Sequence, residues 1–399
     1  MPQPTIGLRR FLGRYYAYLF LFDFILCYAV YTALFELEGL SAAQIGALLA
    51  FWSASAIVLE LPSGALSDRF DRRWLLVAAP LAKMLIFVCW GVADGNVWLC
   101  GLGFLCWSIG QSLLSGTGEA LVYERLEAEG RSDDYDRING RATAAESLGI
   151  GTGVLIGGFV AAAGGMDITV WLSLPPLVAC ALIALTLRDT RRQADDQAVE
   201  EQPGYLENFR IALSEFRALP DLRFVMLYIA VGLILFEVLE EFDQLYYLAV
   251  GLPIWLFGVM GATTLAAFAC ASLMAHRMAR HPALAWLLPL IGGCLLVVAS
   301  LANHPVYVVM LELAYLVVVP ATVLSEARFQ RLMAGRSRAT TTSALAVAQN
   351  IAGVLATLGF GLLADQAGIL PAYGWAGLAM VPIALWVWLA QSRGVRALD

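Results

Sequence analysis

Lysine is nearly missing from this chain: one residue, Lys83, stands against 24 arginines and three histidines in 399 positions. Charge of either sign is scarce, at 14% of residues where soluble domains carry about 25%. With 60% apolar residues and a mean hydropathy of +0.73, that shortage excludes an ordinary soluble domain and leaves an all-α polytopic membrane protein. Catalytic signatures are missing as well. There is no His-Glu-x-x-His, no Gly-x-Ser-x-Gly and no buried histidine pair, so no enzyme is indicated. The seven cysteines (Cys27, Cys89, Cys100, Cys106, Cys180, Cys270 and Cys294) lie in or beside apolar runs without metal-ligand spacing. They read as small core residues; no metal or cofactor is implied, and nothing points to a nucleic-acid partner.

What the chain does have is long apolar runs, and a bilayer span needs about 17–25 residues. Twelve such runs fall near 14–37, 43–66, 74–93, 97–122, 138–163, 167–188, 223–247, 253–275, 282–302, 305–327, 339–363 and 371–391. They divide six and six, giving one bundle over 1–188 and another over 223–399. The polar linker 189–222 reads as a cytosolic connector, with a short amphipathic helix over 205–219. Arg9, Arg10 and Arg14 precede the first run, but that run is too long for a signal core and lacks an Ala-x-Ala site. It reads as a retained membrane helix.

Arginine sets the orientation. Loops near 38–43, 94–97, 164–168, 248–253, 302–306 and 364–371 contain no Lys or Arg, while the alternate loops, the linker and both ends hold all the arginines. By the positive-inside rule both termini lie in the cytosol. The arginine bias is of the kind GC-rich coding produces and hints at a bacterial source, for which the expected location is the inner membrane. The halves also repeat: Gly39-Leu40 with Gly46 matches Gly251-Leu252 with Gly258, and Arg141-Ala142-Thr143 matches Arg338-Ala339-Thr340. Gly153-Val154-Leu155 likewise matches Gly353-Val354-Leu355. Parallel six-helix repeats suit a two-bundle transporter with a central site.

Between the second and third runs stands Gly64-x-Leu66-x-Asp68-Arg69-x-x-Arg72-Arg73. This pattern resembles the loop signature of the major facilitator superfamily (MFS), with Asp71 where that family usually has glycine. A worn counterpart, with His276, Arg277 and Arg280, sits between the eighth and ninth runs. The resemblance implies twelve helices in two six-helix bundles related by pseudo-two-fold symmetry, and a secondary transporter working by alternating access. It further implies that Gly64, Asp68, Arg69, Arg72 and Arg73 form a cytoplasmic gate. In the fifth run Gly149, Gly153, Gly157 and Gly158 resemble the superfamily's antiporter motif, although Val154 replaces its proline; plain small-residue helix packing explains the same glycines.

Ionisable residues inside apolar runs are costly, at least about 2.5–3.5 kcal/mol each unless paired or hydrated, and so mark function. Asp23, Glu60, Lys83, Glu119 and Glu146 form such a set in the first half, with Lys83 the one lysine available to pair an acid. They are candidates for proton coupling, against a fixed ion pair as the structural alternative. Candidates for the substrate cavity are Gln111 and Ser115 in the fourth run, Glu237 and Glu241 in the seventh, Glu312 in the tenth, and Gln349 and Asn350 in the eleventh. Tyr28, Tyr31, Trp52, Trp107, Tyr246 and Tyr315 are aromatic candidates for its walls, while Asp243 reads as part of a solvated helix end. The excess of acids over bases suits protons and cationic or neutral substrates. The expected function is proton-coupled export, by antiport, of a small amphiphilic or cationic compound. The alternative is proton-coupled import of a small solute or siderophore-type chelate. The expected partners are that substrate, protons and membrane lipid, with the protein a monomer.

Overall fold

In hydrocarbon the backbone must satisfy its own polar groups, and a chain of long apolar runs does so by forming helices. The computed structural model describes residues 5–187, 220–278, 281, 283–332 and 338–392, and every regular element among them is helical. The first half comprises α1 (Ile6–Asp23), a 3-10 turn (Leu26–Ala29), α2 (Tyr31–Leu37), α3 (Ala42–Arg69), α4 (Arg72–Gly91) and α5 (Val97–Ala128). It continues with α6 (Tyr135–Gly164), α7 (Met166–Leu172) and α8 (Leu174–Ala184). The second half comprises α9 (Pro220–Leu227), a π-helical turn (Tyr228–Leu233), α10 (Ile234–Glu240), α11 (Asp243–Ala249) and α12 (Ile254–Met278). It ends with α13 (Leu284–Ala299), α14 (Val308–Leu332), α15 (Arg338–Ala367) and α16 (Ile369–Ser392). Among the described residues ten helical segments are long and apolar enough to cross a membrane, and Leu284–Ala299 is a shorter apolar helix. The protein is an integral membrane protein.

Three expected spans are not continuous helices. The first stops at Asp23, turns through Phe24 and Ile25, and resumes as α2 at Tyr31. The sixth is interrupted at Ser173, ahead of Pro175 and Pro176, and the seventh contains the π-helical turn and a second interruption at Glu241 and Phe242. The expected linker helix over 205–219 lies outside the described residues.

The turn between α3 and α4 is as short as its charged sequence suggests, only Phe70 and Asp71. Asp71 has φ −58° and caps α4, one carboxylate oxygen accepting the Arg73 N–H at 2.8 Å. An acid therefore serves here without the left-handed backbone that would demand glycine.

Two compact units divide the chain. The first contains Met1–Leu40, Phe51–Gln197 and Pro253–Ala262, the second Ser41–Ala50, Ala198–Leu252 and Thr263–Asp399. Unit 1 pairs α4 with α5, α1 with α6, and α8 with both α1 and α4. Its core includes Leu8, Tyr18 and Phe22 of α1, Leu76 and Ala79 of α4, Leu121 of α5 and Cys180 of α8. Unit 2 is built on α13, which packs against α14 and α16, with α10 against α15. The first turns of α3 belong to unit 2, where a Cβ on Gly46 would stand 2.9 Å from the Thr357 carbonyl oxygen.

Candidate functional site

In unit 1 the interruption after Asp23 creates the site. Ending α1 there leaves the Phe22 carbonyl without a helical partner, and a helix C-terminus attracts a cation. Lys83, fully buried on α4, supplies it. Its Nζ donates to the Phe22 carbonyl oxygen at 2.8 Å and to a carboxylate oxygen of Asp23, with which it forms an ion pair. The same ammonium lies 4.0 Å from the Phe22 ring centroid. Glu146 of α6, half-buried, lies close enough for its carboxyl to interact with both Asp23 and Lys83. Of the five charges expected to be buried in this half, three are thus assembled into one group. Glu119 is not among them: it is exposed on α5, where its charge lies near Tyr15 and Tyr135. The Glu60 side chain lies outside the described residues.

The glycines of α6 hold this interruption in place. A Cβ on Gly149 would overlap the Phe20 carbonyl oxygen, one on Gly157 would overlap that of Leu26, and one on Gly153 would stand 2.7 Å from the Ile25 nitrogen. Only hydrogen side chains allow α6 to lie against this exposed backbone. Gly158 meets a different partner, with its Cβ position 2.7 Å from the Gly258 nitrogen.

Beside the ion pair lies an aromatic platform. Tyr28 and Trp107 stack at 4.9 Å, Trp52 leans on Trp107 at 4.8 Å, and Lys83 is 5.5 Å from the Tyr28 ring. Tyr31 is buried behind them, stacked on Trp90 at 5.5 Å. Ser108 bonds Ser55 and the Trp52 carbonyl, tying α5 to α3. Gln111 is half-buried and Ser115 exposed on the same helix.

Unit 2 contains a cavity of about 200 Å³ walled by Leu233, Phe236, Phe268, Val318 and other apolar side chains, into which Glu237 and Glu240 of α10 open. Thr264, Tyr315 and Thr322 add to its polar lining; Thr264 donates to Glu312 at 3.3 Å, while Tyr247 holds the other Glu312 oxygen at 2.7 Å. Glu240, rather than the expected Glu241, accompanies Glu237 in this wall. The π-helical turn over Tyr228–Leu233 is the local reason, since its wider winding rotates every later residue of the segment. Gln349 and Asn350 are half-buried on α15.

Asp243 departs from expectation. It is 4% exposed, not a solvated helix end, and one of its oxygens accepts from Tyr315 and Tyr373 at 2.6 Å each. Chain distances of 72 and 130 residues separate those partners from it, so no local sequence signal marks the cluster. The tyrosine hydroxyls, placed by α14 and α16, are what could have been looked for.

At the α3–α4 turn, Arg72 is buried and pairs with Glu124 of α5 at 2.5 Å. Arg73 lies 4.9 Å over the Trp74 ring and 4.0 Å from Asp71. Gly64, Asp68 and Arg69 belong to the last turns of α3, and their side chains lie outside the described residues, as does the counterpart cluster at His276, Arg277 and Arg280.

Three solved structures of similar fold are of transporters. The nucleoside transporter NupG aligns with a TM-score of 0.73 at 14% identity, covering 96% of this chain and 99% of its own. A bacterial homologue of the human lysosomal transporter Spinster, inward-facing and unoccupied, aligns at 0.74 with 16% identity, covering 99% and 98%. The peptide transporter POT aligns at 0.68 with 14% identity, covering 100% and 98%. No curated protein matches the sequence. The family model described as Major Facilitator Superfamily matches residues 16–357, and the chain belongs to that superfamily of membrane transporters.

Proposed function

We propose that the protein is a proton-coupled exporter that exchanges protons for a small amphiphilic or cationic compound by alternating access. The observation that carries this reading is the unit 2 cavity, where two carboxylates open into apolar and aromatic walls. Such a site suits a compound with one cationic centre and a hydrophobic body, because the acids supply the charge and the walls take the rest. The aromatic platform of Tyr28, Trp52 and Trp107 offers faces of the kind organic cations bind.

Asp23, Glu146 and Lys83 are the coupling group of this mechanism. One proton held between these two acids leaves a single negative charge that Lys83 balances, so the trio as a whole is neutral. Release of that proton leaves one net negative charge inside the bundle, which alternation between two arrangements relieves. In this reading 1–188 and 223–399 are the two bundles, 189–222 connects them in the cytosol, and Arg72 with Glu124 belongs to the cytoplasmic gate. The arginine asymmetry supports cytosolic termini, and a bacterial inner membrane is the location. The α6 glycines support antiport by the motif they resemble. Direction is tested in cells: deleting the protein lowers resistance to organic cations if it exports, and lowers solute uptake if it imports.

A further inference from the structure

The coupling group above uses no residue of unit 2, yet the most deeply buried acid described lies there. Asp243 opens α11 directly after the interruption at Glu241 and Phe242, and its oxygen touches two tyrosine hydroxyls, those of Tyr315 on α14 and Tyr373 on α16. Tyr315 is 3% exposed and Tyr373 fully buried. The Tyr373 hydroxyl also stands 2.9 Å from the Leu239 carbonyl oxygen on α10.

A hydroxyl has one hydrogen, so Tyr373 cannot donate to both oxygens at once. Two complete patterns exist on these atoms, one proton apart. With Asp243 ionised, both tyrosines donate to it, and the Leu239 carbonyl keeps its backbone partner, the Phe242 N–H at 2.9 Å. With Asp243 protonated, Tyr315 still donates to the acid, the acid donates to Tyr373, and Tyr373 turns its hydrogen to Leu239. No heavy atom need move between them.

We propose that Asp243 is a second proton-binding site, with Tyr315 as its entry and Tyr373 as the rotor that reports its state to α10. Tyr315 also lines the acid cavity. A proton arriving there adds to the Tyr315 oxygen while that hydroxyl's own hydrogen passes to Asp243, and rotation of the carboxyl and hydroxyl hydrogens then gives the protonated pattern above. The tyrosine is unchanged and the acid goes from −1 to neutral. The titratable groups around Asp243 are Glu240 on α10, Tyr246 and Tyr247 on its own helix, Glu312 and Tyr315 on α14, and Tyr373 on α16. Among the described residues no lysine, arginine or histidine forms an ion pair with it. Leu239 lies between Glu237 and Glu240 on one helix, so the rotor acts on the segment that carries the cavity acids. That last link rests on the proton-coupled reading above; the proton site itself does not.

Infrared difference spectroscopy of the purified full chain, titrated in pH, tests the site without any transport. The wild type should show a protonated-carboxyl stretch that disappears as pH rises, and Asp243→Asn should lack it. Tyr373→Phe, which keeps the ring against Tyr246 and Phe360, should retain the band at a shifted frequency. Identical titrations in wild type and Asp243→Asn, or a band that neither Tyr373→Phe nor Tyr315→Phe moves, would overturn the assignment. If the band titrates as expected but transport ignores a pH gradient, the proton site stands and the exporter reading fails.

Discussion

Lys83 donates to the carbonyl oxygen of Phe22 at 2.8 Å, so the only lysine of the chain caps the broken end of its first membrane helix. The Asp23 carboxylate beside that carbonyl completes the pair. Removing Lys83 leaves the Asp23 and Glu146 carboxyls without their cation.

Lys83→Met should therefore lower stability by about 3–5 kcal/mol, the usual cost of breaking a buried pair from one side. Lys83→Met combined with Asp23→Leu should cost less than Lys83→Met alone. Thermal unfolding in detergent measures both, and an additive double variant would show that the pair is not energetically coupled.

The glycine bed of α6 gives a steric prediction. Gly153→Val should cost about 1–3 kcal/mol through overpacking against Ile25, and should abolish transport. Gly140→Ala on the same helix, where a Cβ meets nothing within 4 Å, should leave stability unchanged or slightly higher. Equal melting temperatures for Gly153→Val and wild type would remove the role assigned to the close approach.

Outside the membrane spans, Glu38 accepts the Gly95 N–H at 3.0 Å. Burial pushes its carboxyl above the usual carboxylate range, the Gly95 bond pulls it back, and Asp167 and Asp94 push it up again. A raised acid binds its proton more tightly folded than unfolded, so stability falls as pH rises from the ordinary glutamate value through the raised one. Glu38→Gln keeps an acceptor for Gly95 and should flatten that part of the pH–stability curve. A curve of unchanged slope in the variant would contradict this.

How much of this was legible in the chain differs from residue to residue. The arginine-free loops and the length of the apolar runs mark the spans, because hydrophobic thickness and charge asymmetry are properties of composition. Lys83 announces that some acid must meet it, but choosing Asp23 requires the interruption at Phe24, and no proline or glycine signals one there. That interruption is held open from outside, by Gly149, Gly153 and Gly157 on another helix. Regular helical spacing groups Glu237, Glu240, Glu241 and Gln244 on one face, and the π-helical turn upstream alters which of them reach the cavity. Asp243 looks solvated in a run of acids and is buried only because Tyr315 and Tyr373 arrive from distant helices.

The cavity acids should matter for cargo more than for folding. Glu237→Gln with Glu240→Gln should cut transport of a cationic substrate at least tenfold while leaving the melting temperature near that of wild type. Loss of transport for a neutral analogue to the same extent would mean that the pair does not recognise charge.

Exchange of protons for a cationic compound is read in a single flux measurement. Purified protein in proteoliposomes with an acidic lumen, given a permanently charged aromatic cation such as ethidium outside, should accumulate the dye as protons leave, beyond protein-free vesicles. Reversing the gradient should stop accumulation, and Asp23→Asn should uncouple it. Accumulation driven by an acidic exterior, or a flux of the dye indifferent to the gradient, would contradict the account.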